Sequence, residues 1–139
     1  MNAWQSGGEA LHTATFIAHP LACAAALATL AVLREESLVE RAARLGRELG
    51  RRLEDWPHRF ETVISVRGRG LAWGLELRSP AAAAALVEGA RAAGVLLLAG
   101  GPSGCVAQIV PPFVITDRQL LAALAVLATT LSTIDRRHT

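Results

Sequence analysis

The chain has 139 residues, of which 52% are hydrophobic and 19% charged, and its formal net charge is +2. This length is that of one domain, and this composition excludes an intrinsically disordered chain. The mostly apolar run from Pro20 to Leu33 has fourteen residues, short of the roughly 20 that span a bilayer, and no basic segment precedes it as in a signal peptide. We therefore expect no membrane partner and a cytoplasmic location.

The first predicted helix begins at Pro20, which suits the first helical position because its missing N–H would be unpaired there. The helix runs to about Glu35 and is apolar nearly all round, so we expect it to be buried on most sides. Residues 1–19 are predicted to be irregular. Within them the loop at residues 12–16 leads towards the helix and offers hydroxyl and N–H groups to an anion.

A second helix is predicted from Ser37, where Glu40 stands at capping-box spacing, to Trp56, since Pro57 ends it. Its arginines alternate with apolar residues at helical spacing, and glutamates lie among them. This pattern is typical of a solvated helix face and argues against a nucleic-acid partner. The arginines are Arg41, Arg44, Arg47, Arg51 and Arg52.

The remainder of the chain is predicted to alternate strands with two more helices. Strands cover residues 62–66, 71–77, 95–98 and 105–110, and turns cover 67–70 and 100–104. A helix runs from the Ser79 N-cap to near Gly94, and the last helix follows a cap at Thr116 and Gln119. The order α-α-β-β-α-β-β-α predicts an α/β class fold, an α+β-type small domain with a small sheet and flanking helices.

Four segments carry a family resemblance. His12, Thr15 and Phe16 precede a Pro-Leu-Ala run, and VRGRGLAWGLEL, GVL and IVPPFVIT begin at Val66, Gly94 and Ile109. Taken together and in this order, from about residue 8 to 131, they resemble class III (ornithine/GABA-type) aminotransferases. The resemblance implies the fold of the C-terminal domain of fold-type I pyridoxal-phosphate (PLP) enzymes. It also implies that residues 1–35 are an interface loop and connecting helix and that 36–139 are the small domain.

The same resemblance implies a reaction, a cofactor and partners. Class III enzymes transfer an amino group from an amine donor to a keto acid or aldehyde, and Thr15 stands where that family bonds the phosphate of PLP held by the other subunit of a dimer. All fourteen basic residues here are Arg, however, and no Lys is present to form the Schiff base. We therefore expect the chain to be the C-terminal portion of such an enzyme and inactive alone. Its partner would be a second copy or a Lys-bearing N-terminal half. The alternative is a non-catalytic remnant that only binds a partner chain.

Candidate substrate-pocket residues are Arg67, Arg69 and Gln108. The two arginines could clamp a carboxylate bidentately, or they could simply belong to a Gly-Arg turn between strands. Many family members carry an Arg for the substrate α-carboxylate at the position of Gln108, so an α-amino acid such as ornithine is not the expected donor. The four histidines show no ligand spacing, and no metal site is predicted.

Overall fold

The computed structural model describes residues 17–138, which divide between Glu36 and Ser37 into two compact units. In the first unit, helix α1 (Pro20–Glu35) has the predicted bounds, with Pro20 in its first turn. None of its residues is buried. The expectation that α1 is buried on most sides is therefore wrong for this chain, because a single helix cannot cover its own apolar surface.

The predicted second helix is divided into two helices in the structure. Helix α2 (Leu38–Leu53) ends early, and Trp56 and Pro57 begin the separate short helix α3 (Trp56–Arg59). Pro57 starts a new helix here, since its fixed φ and missing N–H suit a first turn. Ser37 is left-handed, with φ of 49°, and its side chain caps nothing. The predicted capping box is therefore not formed.

Strands β1 (Val63–Arg69) and β2 (Ala72–Leu77) form an antiparallel hairpin. The sequence predicts a turn at residues 67–70, but β1 continues to Arg69, which pairs with Ala72. The hairpin is this tight because Gly70 adopts a φ of +56°, a conformation that side chains disfavour. The prediction of a turn at Arg67 and Arg69 is therefore wrong, and both arginines lie on a strand.

The rest of the second unit consists of helix α4 (Pro80–Ala92), strands β3 (Leu98–Gly100) and β4 (Val106–Ile109), and helix α5 (Asp117–His138). The Ser79 hydroxyl accepts a hydrogen bond from the N–H of Ala82, as its predicted N-cap role requires. Thr116 and Gln119 form the predicted reciprocal cap before α5. The strand predicted at 95–98 begins later, at Leu98.

The four strands form one sheet in the order β1-β2-β4-β3, and every neighbouring pair is antiparallel. Helix α4 packs against β2, β3, β4 and α5, while α2 and α3 pack against β1. This architecture confirms the predicted fold class. The apolar stripe predicted on α5 is buried in the core, at Leu120, Leu124, Leu127, Leu131 and Ile134.

Glycines let α2 approach the hairpin closely. A Cβ on Gly46 would overlap the carbonyl group of Gly70, and one on Gly50 would lie 2.6 Å from the ring of Trp73. The indole N–H of Trp73 donates to the Gly70 carbonyl at 2.7 Å. The small residues of α2 therefore fix the hairpin that carries Arg67 and Arg69. Across residues 17–138, no helix is long and apolar enough to cross a bilayer.

Candidate functional site

The sheet has an inner face covered by helices and an open face. Register places Arg67 opposite Gly74, Gly74 opposite Gln108, and Gln108 opposite Leu98, so these four residues form one row across the sheet. Directly paired residues point to the same face, and their chain neighbours point to the other. Leu75, next to Gly74, is fully buried. The row therefore lies on the face away from the core, which we call the open face.

All three candidate pocket residues in the described part of the chain lie on the open face. Arg69 follows Arg67 by two residues on β1 and shares its face. Gln108 lies two strands away in the row of Arg67, about 10 Å distant at the backbone given the usual spacing of neighbouring strands. Gly74 stands between them without a side chain. The structure thus brings Arg67, Arg69 and Gln108 onto one surface.

Arg67 is already partnered on this surface. Its Nη2 donates to Oε2 of Glu76 at 2.6 Å, and the hydroxyl of Ser65 donates to the same oxygen at 2.7 Å. The Arg67 side chain is 76% exposed and that of Glu76 is 37% exposed, so water screens the pair. Any carboxylate that bound Arg67 would have to compete with Glu76. Arg69 makes no ion pair with any residue in the described part of the chain.

Gln108 borders a hollow of about 340 Å³ whose other lining residues are Leu96, Leu97, Leu98 and Val110. A Cβ added to Gly100 would lie 2.6 Å from the Gln108 Nε2, so the amide group occupies the space above this glycine. Gln108 contributes the one polar side chain among these five lining residues. An amide can donate and accept hydrogen bonds but carries no charge. The hollow therefore suits an uncharged group with an apolar surround.

A larger hollow of about 460 Å³ lies behind the segment that follows β4. Its walls come from residues 93–97, from residues 109–112 with Ile115, and from one side of α5. Leu96, Leu97 and Val110 line both hollows. The position of the segment after Ile109 therefore shapes both.

Sequence reasoning missed the contacts of Arg41. The helical pattern predicts a solvated face for Arg41, but its guanidinium donates to the carbonyl groups of Phe113 and Ile115. The sequence gives only a weak signal for this, since Arg41 adjoins the buried stripe of Leu38, Ala42 and Leu45 on α2. The other arginines predicted on that face, Arg44, Arg47, Arg51 and Arg52, are exposed.

The residues present do not fit covalent attachment of PLP. PLP is attached to its enzymes through a Schiff base with a primary amine, and the chain contains no Lys. Thr15, the predicted phosphate contact, lies outside the described residues, as does His12. Within residues 17–138, no group of three or more His, Cys, Asp or Glu side chains is arranged to hold a metal ion.

Comparison with known proteins gives a consistent result. The family model "Aminotransferase class-III" matches residues 1–131. The chain is 40% identical over 120 residues to an acetylornithine aminotransferase of Methanosarcina acetivorans. The matched region covers 86% of this chain and 29% of that protein. It is 30% identical over 139 residues to "ethanolamine-phosphate phospho-lyase homolog 1" of Caenorhabditis elegans, covering 94% of this chain and 30% of that one. The chain therefore spans about 30% of the length of these relatives.

Two solved structures are also similar to this chain. An Arthrobacter phospholyase in complex with phosphoethanolamine superposes with a TM-score of 0.78 at 34% identity, over 81% of this chain and 29% of that one. Acetylornithine aminotransferase from Elizabethkingia anophelis gives a TM-score of 0.77 at 31% identity, over 90% of this chain and 33% of that one. The similarity thus extends over most of this chain and about a third of each larger protein.

Proposed function

Since this chain belongs to the class III aminotransferase family, we propose that it forms the C-terminal portion of a PLP-dependent transaminase. The reaction is amino-group transfer from an amine donor to a keto acid or aldehyde. Residues 1–35 would be the interface loop and connecting helix, and residues 36–139 the C-terminal small domain. The observation that carries the proposal is the open face, where Arg67, Arg69 and Gln108 share one surface and Gln108 borders a hollow, within a domain of this family.

PLP, when bound, supplies an electron sink for the donor's reacting carbon. The attaching Lys must lie outside these 139 residues, since they contain none. The Lys-bearing segment would be the N-terminal half of the enzyme or the same region of a second copy in a homodimer. The contribution of this chain would be the Thr15 hydroxyl at the phosphate and a wall of the substrate pocket on the open face.

The open face favours an amine donor that places no carboxylate next to Gln108. Gln108 offers a neutral amide among leucine and valine side chains, and Arg67 is held by Glu76. A carboxylate placed there would lose water without gaining a charged partner, which costs free energy. An ω-amine or an amino sugar meets this condition and an α-amino acid does not. The similarity to a phospholyase in complex with phosphoethanolamine, a ligand without a carboxylate, supports the same inference.

Lysine attachment is tested on the native gene product. It is purified through a C-terminal tag at its own locus, incubated with PLP, reduced with borohydride, and mapped by mass spectrometry. We expect a reduced adduct on a Lys outside residues 1–139. A product with no adduct would favour the second candidate, a non-catalytic partner-binding domain, for which the lack of Lys is the supporting observation. An adduct on an internal residue of this segment would contradict the proposal.

Substitutions separate the two proposed roles in that enzyme. Thr15→Ala removes a charge-assisted hydrogen bond of about 1.5–3 kcal/mol, so the PLP dissociation constant should rise about ten- to hundredfold. Thr13→Ala, in the same loop, is the matched control and should leave it unchanged. Gln108→Arg should retain PLP affinity and raise activity towards donors that carry a carboxylate, while the uncharged Gln108→Met should not. If Thr15→Ala binds PLP as tightly as wild type, Thr15 does not contact the phosphate.

A further inference from the structure

Arg41 joins two parts of the second unit that are far apart in sequence. Its Nη1 donates to the carbonyl oxygen of Phe113 at 2.7 Å, and its Nη2 donates to that of Ile115 at 2.6 Å. The guanidinium is planar and rigid, so one side chain can span two carbonyl groups with little loss of rotamer freedom for each bond. The Arg41 side chain is 25% exposed, less than half the exposure of its neighbour Arg44 at 58%.

The position of Arg41 is itself well determined. Ala42 and Leu45, on the adjoining turn of α2, pack in a small apolar cluster with Leu71, and Ile115 packs against this cluster. Asp117 lies 3.7 Å from Nη2 of Arg41 and balances its charge. Packing thus brings α2 close to Ile115, and the guanidinium then fixes the backbone on both sides of Val114.

The segment at residues 110–116 has few other means of holding its conformation. It belongs to no helix or strand, and Pro111 and Pro112 have no N–H to donate. One turn bond, from the N–H of Ile115 to the carbonyl of Pro112 at 3.0 Å, and the cap at Thr116 define its end. Loss of the Arg41 bonds would therefore loosen this segment selectively.

That segment forms part of the hollow at Gln108. Val110 follows Gln108 by two residues, and both line the 340 Å³ hollow. Pro111 and Pro112 are stiff and connect Val110 to the residues that Arg41 holds, so a shift at Phe113 is passed back to Val110. We infer that Arg41 is a positioning residue that fixes the Val110 wall of this hollow and thereby the fit of the amine donor. This inference rests on the proposed function, which assigns the hollow to the donor.

The test uses the complete PLP-loaded enzyme with three variants. Arg41→Gln removes the two-carbonyl contact, and Arg41→Lys keeps the charge beside Asp117 without the planar fork. Arg44→Gln is the matched control, since Arg44 also pairs with Asp117, at 3.8 Å, but makes no hydrogen bond to residues 110–116 in the described chain. The readouts are amide hydrogen exchange across residues 110–116 and the KM and kcat of the donor.

We expect Arg41→Gln to speed exchange in residues 110–116 and to raise the donor's KM about tenfold with kcat little changed, because binding rather than chemistry is impaired. Arg41→Lys should remain impaired, and Arg44→Gln should behave as wild type. Full rescue by Lys, an equal effect of Arg44→Gln, or a loss of thermal stability without a change in KM would overturn the inference. If Gln108 substitutions also leave the donor's KM unchanged, the proposed function fails as well. An effect at Gln108 without one at Arg41 refutes only the role of Arg41.

Discussion

The two faces of the sheet differ in what their side chains do. On the inner face, Leu75 and Ala107 are paired across β2 and β4 and are completely buried against the helices. On the open face, the row from Arg67 to Leu98 is solvent-accessible, and Arg67 bonds to Glu76 beside it. The inner face therefore stabilises the domain, while side chains on the open face contribute little to its folding.

This difference predicts which substitutions the chain tolerates. On the inner face, burial leaves little choice of side-chain volume or shape. Gln108 lies on the exposed row, where a change of charge has little effect on folding. We therefore expect substitutions on the inner face to change stability and substitutions on the open face to change substrate choice.

The largest expected effect is on the inner face. Leu75→Ala removes a fully buried side chain and leaves a cavity, so the free energy of unfolding should fall by about 2–5 kcal/mol. Leu98→Ala, on the open face, is the control. Leu98 is 70% exposed, so its removal should change stability by no more than about 0.5 kcal/mol. Urea unfolding followed by circular dichroism measures both, and equal losses would show that the faces do not differ.

A smaller effect is expected where α5 meets the start of β1. The Asp135 carboxylate accepts hydrogen bonds from the N–H groups of Glu61 and Thr62, at 3.2 and 3.0 Å, and from the Thr62 hydroxyl. Thr62 is only 5% exposed, so Asp135→Ala leaves buried donors unpaired and should cost about 1–3 kcal/mol. Thr133→Ala on the same helix is the control, since it removes exposed hydroxyl bonds within α5, to the Thr129 carbonyl and from Arg136, and leaves β1 untouched. If both variants lose a similar free energy of unfolding, the contact between α5 and the start of β1 is not the cause of the loss in Asp135→Ala.

The inner face is also the part that the sequence predicts best. The apolar period of α5, the Ser79 cap and the strand alternation around Leu75 all indicate their structures, because each depends on neighbours in sequence. The length of β1 and the contacts of Arg41 could not be predicted in this way. β1 extends to Arg69 because a glycine turn at Gly70 matches the pairing register with β2, and Arg41 bonds to carbonyl groups more than seventy residues away. Both outcomes depend on tertiary packing.

A still smaller effect is expected from the ion pair on the open face. Glu76→Gln removes the charge that holds Arg67, and because the pair is exposed, stability should change by at most about 1 kcal/mol. The difference from wild type should shrink further in high salt, which screens exposed charges. Unfolding midpoints at low and high salt measure this. A salt-independent loss of several kcal/mol would place Glu76 among the groups that hold the fold and would remove the distinction between the faces.

The smallest effect is expected far from both faces, on the exposed side of α4. The hydrogen bond from Arg91 to Glu88, reinforced by the charge of Arg91, lowers the pKa of the Glu88 carboxyl below its ordinary value. A carboxyl with a lowered folded-state pKa stabilises the fold above its unfolded-state pKa, and this contribution is lost as the pH falls through the folded-state value. Arg91→Gln should therefore raise the Glu88 pKa towards its ordinary value, as measured by NMR titration of the side-chain carboxyl carbon. The Glu88 and Arg91 side chains are 66% and 60% exposed, so water screens the pair and the unfolding midpoint at neutral pH should hardly change. Wild type and variant should become identical in acid. An unchanged Glu88 titration in Arg91→Gln would show that the pair is not formed in solution. A large change in the unfolding midpoint would show that this exposed ion pair stabilises the fold more than screening by water allows.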